Sequence, residues 1–442
     1  MTTLTRRWFR GAARIVGFLV AVFLAAAAPA PAAALEDPPA VDARAAVLID
    51  AASGRVLHAY NADARMPMAS TTKIMTGWLL AERAAPDDII WVPFEARGIQ
   101  GSKLYLEPGE RYSARDMLLA LMIESANDAA VAIAVNLAGS VEDFADLMNR
   151  RAAELGLKNT RFANPHGLDA EGHYSSARDL ALLARAAMTH PAFREAVSLT
   201  EAVIAHPIKG STREIHSHNR FLVSYPGATG VKTGFTNGAG FSLVGSARRG
   251  EVELIGVILG GSSDVRVAQK MAELMDWGFS SFAPRQVVAQ GETVVMAAAE
   301  GAEGGARPAG TGDAGAGGAQ AGSAGTTTWV TQEPLMALLP AGEPLSEDQL
   351  TWRVEGGRLH VFYRGESLGS VALAPAGGGN QAAEDDGGHS GGPLERAGAG
   401  DARFVGAAAA ALLGLTVLSR RRRAARRHYS WQARRDGWGP RP

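Results

Sequence analysis

Ser70 and Lys73 stand three positions apart at the head of an apolar run, in the stretch MASTTKIMTG spanning residues 68–77. Residues i and i+3 share one face of a helix, so hydroxyl and amine would lie side by side. The pair has two readings. One is a helix-capping serine followed by a solvated lysine. The other is a nucleophile beside a base that takes its proton, since a serine hydroxyl is a poor nucleophile until something deprotonates it. Lys73 serves as that base only if neutral, and burial and a second nearby cation both favour the neutral amine. A Ser-His-Asp arrangement is the commoner serine design. The histidines do not suggest it: His166 sits in the turn-like NPHGLD and reads as structural. His216 and His218, in HSHN, have no acidic or cysteine companion at metal-ligand spacing, so neither a metal nor another cofactor is expected.

Two more short motifs bear on Ser70. SAN, Ser125 to Asn127, falls within a stretch of helical spacing, and KTG, Lys232 to Gly234, precedes a strand expected to begin near Gly240. Each alone is weak. Together and in this order, S-x-x-K, S-x-N and K-T-G form the set used by serine enzymes whose base is a lysine. Lys232 would then supply the second cation. Two other matches, GTGDAG at 310–315 and GHSGG at 388–392, lie in glycine-rich stretches without the strand and helix that would give them meaning, and both are discounted.

The elements that must position these residues lie between about 40 and 282. AAVLIDAASGRVLHAYNAD reads as two strands around a Ser-Gly turn. ARDMLLALMIESANDAAVAIAVNLAG and VEDFADLMNRRAAELG have helical spacing and end near glycines. GAGFSLVGSARRGEVELIGVILGG reads as a strand pair turning at RRGE, and DVRVAQKMAELMDWGFSSF as a closing helix. Strands at both ends with helices between predict an α/β sandwich with an antiparallel sheet flanked by helices, not a parallel βαβ series. Residues 284–374 show short alternating segments and predict a small β-rich domain. Within it, residues 301–327 hold eighteen glycines and alanines and read as a disordered insert.

The chain has 442 residues, room for two or three domains, and no cysteine, so disulfides and thiolate metal sites are excluded. Arg6, Arg7, Arg10 and Arg14 precede an apolar run to Ala28 and the small-residue stretch APAPAAALED. That layout predicts a secretory signal over 1–34, with TRRWFR compatible with twin-arginine as well as ordinary export. At the other end, Phe404–Leu418 is apolar and six arginines follow between 420 and 427. Arginine-rich flanks stay cytoplasmic, so 404–418 is expected to anchor the chain in the cell membrane, with 420–442 inside and the rest outside. Fifteen helical residues span only about 22 Å against a hydrocarbon core of about 30 Å, so flanking arginines must snorkel or the bilayer must thin. An interfacial helix is the rival, but the stretch lacks a polar face. Residues 375–402 would tether the β-rich domain to the anchor. The formal charge of −1 hides nine arginines beyond residue 419 set against an acidic remainder, which gives no support for nucleic-acid binding.

Between about Val41 and Pro375 the sequence resembles the low-molecular-mass penicillin-binding proteins, the serine-type D-alanyl-D-alanine carboxypeptidases of peptidase family S11. The segments that carry the likeness are PMASTTKIMT, GSKLYLEPGE, SANDAAVAIA, LGLKNTRFANPHGLD, YSSARDLALLAR and GVKTGFTNGAG. The insert and the long arginine tail depart from the pattern. The resemblance implies the penicillin-binding/β-lactamase-like transpeptidase fold, followed by the β-rich domain and membrane helix. It also implies hydrolysis of the terminal D-Ala–D-Ala bond of peptidoglycan pentapeptide stems through an acyl-serine, with β-lactams as covalent inhibitors. By the same implication Ser70, Lys73 and Ser125 are catalytic and Asn127 holds the substrate amide. The substrate lies as an added strand beside KTG, where Gly234 must be small. The backbone N–H groups of Ser70 and Phe235 form the oxyanion hole. Lys232, Thr233, Thr236 and Arg266 meet the terminal carboxylate. Two rivals are a class A-like β-lactamase, which would need a deacylating glutamate absent from NTRFANPHGLDAEGHYSS, and an inactive envelope-binding scaffold.

Overall fold

A computed structural model describes residues 37–206, 211–297, 307–308, 326–343 and 345–376. The expected signal segment 1–34, the expected anchor 404–418 and the arginine tail lie outside the described residues, as do both discounted glycine-rich motifs. Among the described residues no helix is long and apolar enough to cross a membrane.

The strands and helices of the first domain run β1 (Ala45–Asp50), β2 (Val56–Tyr60), α1 (Lys73–Arg83), β3 (Ile89–Trp91), β4 (Arg111–Ser113), α2 (Ala114–Leu119) and α3 (Asn127–Ala138). They continue with α4 (Val141–Glu154), α5 (Ala177–Ala187), α6 (Pro191–Ser198), β5 (Glu201–Ala205), β6 (Thr212–His216) and α7 (Arg220–Ser224). The domain closes with β7 (Ala228–Thr236), β8 (Gly240–Arg249), β9 (Val252–Gly261) and α8 (Asp264–Ser281). Five strands make one antiparallel sheet in the order β2-β1-β9-β8-β7.

The sheet is covered on both faces, which is why β1 is buried along its whole length and reads as a continuous apolar run. Period-2 alternation divides it. Val47, Ile49, Val244 and Val257 face a helical layer that includes α1, α3 and α5, whereas Ala46, Leu48, Leu243 and Ile258 face α8. Serines begin several helices by accepting a bond from the third residue on: Ser113 from Asp116, Ser140 from Asp143, Ser176 from Asp179 and Ser263 from Arg266. α1 does not start this way. Its cap position is Thr72, whose side chain makes no capping bond, and Ser70 lies before it in a 3₁₀ turn, Ala69–Thr72. The capping reading of Ser70 is therefore set aside.

The β-rich domain contains β10 (Phe282–Val288), β11 (Thr293–Ala297), β12 (Arg307–Pro308), β13 (Thr326–Thr331), β14 (Leu335–Pro340), β15 (Leu350–Glu355), β16 (Arg358–Tyr363) and β17 (Glu366–Pro375). β10 pairs with β14, and the others order as β12-β11-β13-β17-β16-β15 around Leu359, Val361, Leu368 and Val371. Of the segment 301–327, expected as a disordered insert, residues 307–308 and 326–327 are strand, and the rest lies outside the described residues. Arg307 and Pro308 pair with Val295 and Val294, and Thr326 and Thr327 already belong to β13. The alternation at 326–331 continues the strand past the glycine-rich composition that set the expected boundary.

Candidate active site

The 3₁₀ turn carrying Ser70 is pressed between two glycines. A Cβ on Gly234 of β7 would stand 2.9 Å from the Ser70 nitrogen and 3.0 Å from the Ala69 Cβ. A Cβ on Gly167, which has φ +96°, would stand 1.9 Å from the Ala69 carbonyl oxygen. Only a residue without a side chain lets each backbone approach this closely.

Lys73 is fully buried, and its Nζ lies 2.9 Å from Ser70 Oγ, 2.6 Å from Asn127 Oδ1 and 2.6 Å from the His166 carbonyl oxygen. The Asn127 assignment is fixed from its far side, where Nδ2 donates to the Gln100 carbonyl at 2.6 Å. Asn127 Oδ1 and the His166 carbonyl can only accept. A neutral amine has two N–H bonds, which those two acceptors use, leaving its lone pair aimed at the Ser70 hydroxyl. Burial first, and then the charge of Lys232, hold the Lys73 amine well below its ordinary pKa, while buried Asp128 pulls the other way. Lys232 is itself 3 % exposed, and burial lowers it to about 8. Its Nζ donates to the Thr233 carbonyl at 3.0 Å.

Ser125 differs from its expected place inside a helix. The helical stretch passes through a π turn, Ala120–Glu124, and breaks at Ser125 in the left-handed region at φ 65°, and α3 restarts at Asn127. The break turns Ser125 into the cleft, which it lines with Ser70, Asn127, Gly234 and Thr236. The cleft has a volume of about 390 Å³. KTG lies within β7 and precedes β8, which begins at Gly240 as expected; β7 is an edge strand, so Lys232–Thr236 pair with β8 on one side and, among the described residues, have no strand on the other. Thr233 and Phe235 line the cleft, and Phe235 is 53 % exposed against Phe241. Thr236 Oγ1 donates to Asp169 Oδ1 at 2.8 Å.

Arg266 is not brought to this group. It lies in the first turn of α8, 3.7 Å from Asp42 Oδ2 and bonded to Gln269, while Asp264, Val267 and Ala268 beside it line the cleft. A helix presents neighbouring positions on different faces, and position 266 faces away from the wall its neighbours form. Three other contributors are not among the site residues expected from sequence, although Gly101 and Ser102 begin GSKLYLEPGE, one of the segments that carry the family resemblance. The His166 carbonyl takes Lys73, while its ring, lowered to about 3 by burial and by Lys73 and His173, stays neutral. Asp128 accepts from the Leu104 and Leu106 N–H groups and so ties the 98–110 segment to α3. Gly101 and Ser102 form part of the cleft wall.

Comparisons with known proteins give the chain that holds this cleft a family. The family model for D-alanyl-D-alanine carboxypeptidases, peptidase S11, matches residues 32–263. The chain belongs to that family. It is 31 % identical over 340 residues to D-alanyl-D-alanine carboxypeptidase DacF of Bacillus subtilis, covering 75 % of this chain and 81 % of that one. It is 40 % identical over 256 residues to DacC of Escherichia coli, covering 55 % of this chain but only 63 % of DacC's length. The crystal structure of DacD from Francisella tularensis superposes with a TM-score of 0.59 over 78 % of this chain and 96 % of that one, at 23 % identity, and so speaks to the fold. The penicillin-binding/transpeptidase-like α/β fold expected from the sequence is thereby established.

Proposed function

We propose that the protein removes the terminal D-alanine from peptidoglycan pentapeptide stems, through an ester formed on Ser70. The observation that carries this is the place of Lys73: its buried Nζ lies 2.9 Å from Ser70 Oγ, and in the neutral amine Asn127 Oδ1 and the His166 carbonyl would take both N–H bonds and leave the lone pair for the Ser70 hydroxyl. In this reading Lys73 takes the Ser70 proton as Oγ attacks the scissile carbonyl. The oxyanion is met by the Ser70 and Phe235 N–H groups, and Ser125 passes its proton to the departing amine as it takes up the one Lys73 accepted. The substrate adds as a strand along the free edge of β7, its amide held by Asn127 and its carboxylate by Lys232, Thr233 and Thr236. Water then releases the shortened stem. Arg266 would have to leave Asp42 to join the carboxylate, and its part is the weakest of the set.

The class A β-lactamase reading finds no support here. Lys73 is bonded to an amide and a peptide carbonyl, and the nearby carboxylate of Asp169 is engaged by Thr236 and Gly238. Residues 1–34 are proposed as a cleaved export signal and 404–418 as the membrane anchor, with the catalytic domain outside and the arginine tail in the cytoplasm. β-Lactams should therefore behave as trapped substrates. Incubating the full chain with benzylpenicillin should add one acyl group, located by mass spectrometry on the tryptic peptide Met66–Lys73, and Ser70→Ala should abolish both adduct and D-alanine release. An adduct on Ser125, or D-alanine release by Ser70→Ala, would overturn the assignment.

A further inference from the structure

His173 is a buried histidine that the reaction as outlined does not use, and its hydrogen bonds lead to the nucleophile's own backbone. The Ala163 N–H donates to His173 Nδ1 at 3.0 Å, so the ring proton sits on Nε2. Nε2 lies 2.9 Å from Thr72 Oγ1, and Thr72 Oγ1 donates onward to the Ala69 carbonyl at 2.8 Å. The three bonds therefore run in one direction. His173 is 6 % exposed and Thr72 fully buried, and Phe162 meets the imidazole edge-on. Burial lowers the ring to about 4, against the opposing pull of Asp169, which keeps a single neutral tautomer through the physiological range.

The chain ends where geometry is most demanding. Ala69 holds φ +49°, a left-handed conformation that an alanine keeps only under constraint from its surroundings. The Ala69–Ser70 peptide is planar, so its C=O and N–H point in opposite directions. Fixing the carbonyl against Thr72 fixes where the Ser70 N–H points, and the Ser70 nitrogen faces Gly234 at the edge of β7. Serial hydrogen bonds also polarise one another, so donation to the carbonyl makes the amide on its other side a better donor.

We propose that His173 and Thr72 are positioning residues that orient and polarise the Ser70 backbone amide through the Ala69 carbonyl. This rests on the reading of Ser70 as the acylated nucleophile with its N–H in the oxyanion hole. Deleting an oxyanion donor outright costs about 10²–10³ in rate. Loosening one should cost about tenfold.

The test uses the full chain with Thr72→Val, Thr72→Ser, His173→Leu and His173→Gln, acylated by benzylpenicillin. Three quantities are read: the non-covalent binding constant, the acylation rate, and the infrared carbonyl stretch of the Ser70 ester. Thr72→Val and His173→Leu should slow acylation about tenfold at unchanged binding and move the ester carbonyl to higher wavenumber. The double variant should be no worse than either single one, because both cut one chain. Thr72→Ser and His173→Gln, which keep a donor and an acceptor, should recover most of the rate. If His173→Leu fails to fold, the isosteric Thr72→Val decides. A folded Thr72→Val with wild-type acylation and an unmoved carbonyl stretch overturns the proposal, as does an equal loss in Thr72→Ser. A wild-type chain that takes no acyl group on Ser70 overturns the functional reading and this inference with it. Normal acylation in the wild type with unmoved variants overturns the inference alone.

Discussion

Two lysines share the interior beside Ser70, and their different surroundings divide their roles. Lys73 has three partners, none of them anionic, and its amine is held low by burial and by Lys232. Lys232 is lowered to about 8, so it still carries its proton at neutral pH. Acylation should rise as the pH climbs through the depressed pKa of Lys73, and fall again above about 8 as Lys232 loses the charge that holds a carboxylate. Lys232→Arg keeps the charge at every accessible pH, so it should raise KM by misplacing a planar fork yet remove the alkaline fall. An alkaline limb that survives in Lys232→Arg would show that another group controls it. The same lysine leaves a mark on stability. Between about pH 8 and the ordinary lysine pKa, the unfolded chain binds a proton that the folded chain does not. Stability therefore rises with pH over that window. Lys232→Met should flatten the rise in a series of urea melts from pH 8 to 10.

At the scale of elements, the site is a turn clamped between Gly167 and Gly234 of β7, beside a helix broken at Ser125. Gly167 combines a positive φ with a carbonyl 1.9 Å from its missing Cβ, whereas Gly234 needs only space. Gly167→Ala should accordingly cost more in both melting temperature and acylation than Gly234→Ala. Gly234→Ala should fold and lose about 10²-fold in acylation, the effect of misplacing reacting atoms by about 1 Å. Equal rates for Gly234→Ala and wild type would mean that β7 is free to yield. Much of this frame was legible: the paired strands around Ser53-Gly54 and Arg249-Gly250, the closing helix and the three motifs all follow from apolar period and turn residues. The break at Ser125 was not legible. Met122 to Ala126 carry no helix breaker, and the break is tied by a contact distant in sequence, the Asn127 N–H donating to the Ser102 carbonyl at 2.8 Å. Nor could spacing reveal that Arg266 turns to Asp42, because one position along a helix is a rotation of about 100°. The partners of Lys73 escaped for another reason: one is a peptide carbonyl, which no side-chain pattern encodes.

For the molecule as a whole, the question is what the described domains need from the chain beyond them. Arg55, on the loop before β2, joins the domains: it donates to the Leu338 carbonyl, pairs with Glu366 at 3.3 Å and lies over the rings of Phe282 and Tyr363. The β-rich domain is closed by β17, which runs to Pro375, and the Ala376 N–H still donates to the Thr328 carbonyl at 2.8 Å. A truncation at residue 374 would remove the end of β17, so the boundary that leaves the fold whole is after Ala376. None of the cleft residues lies beyond Ala268. A chain ending at Ala376 should therefore acylate with penicillin at the full-length rate and melt at the same temperature. The membrane proposal predicts a different outcome for where it is found. The full chain holds an apolar run of fifteen residues backed by six arginines, which in that proposal would orient insertion and reach back to the inner headgroups. After export, cell fractionation should find the full chain with the membranes and the truncated chain released and active. Replacing Arg420–Arg423, Arg426 and Arg427 by glutamine in the full chain should weaken retention at unchanged acylation, because each basic residue near an anionic leaflet contributes about 1 kcal/mol. Retention of the Ala376-terminated chain in the membrane fraction would place the anchor elsewhere, with an uncleaved N-terminal segment as the first place to look.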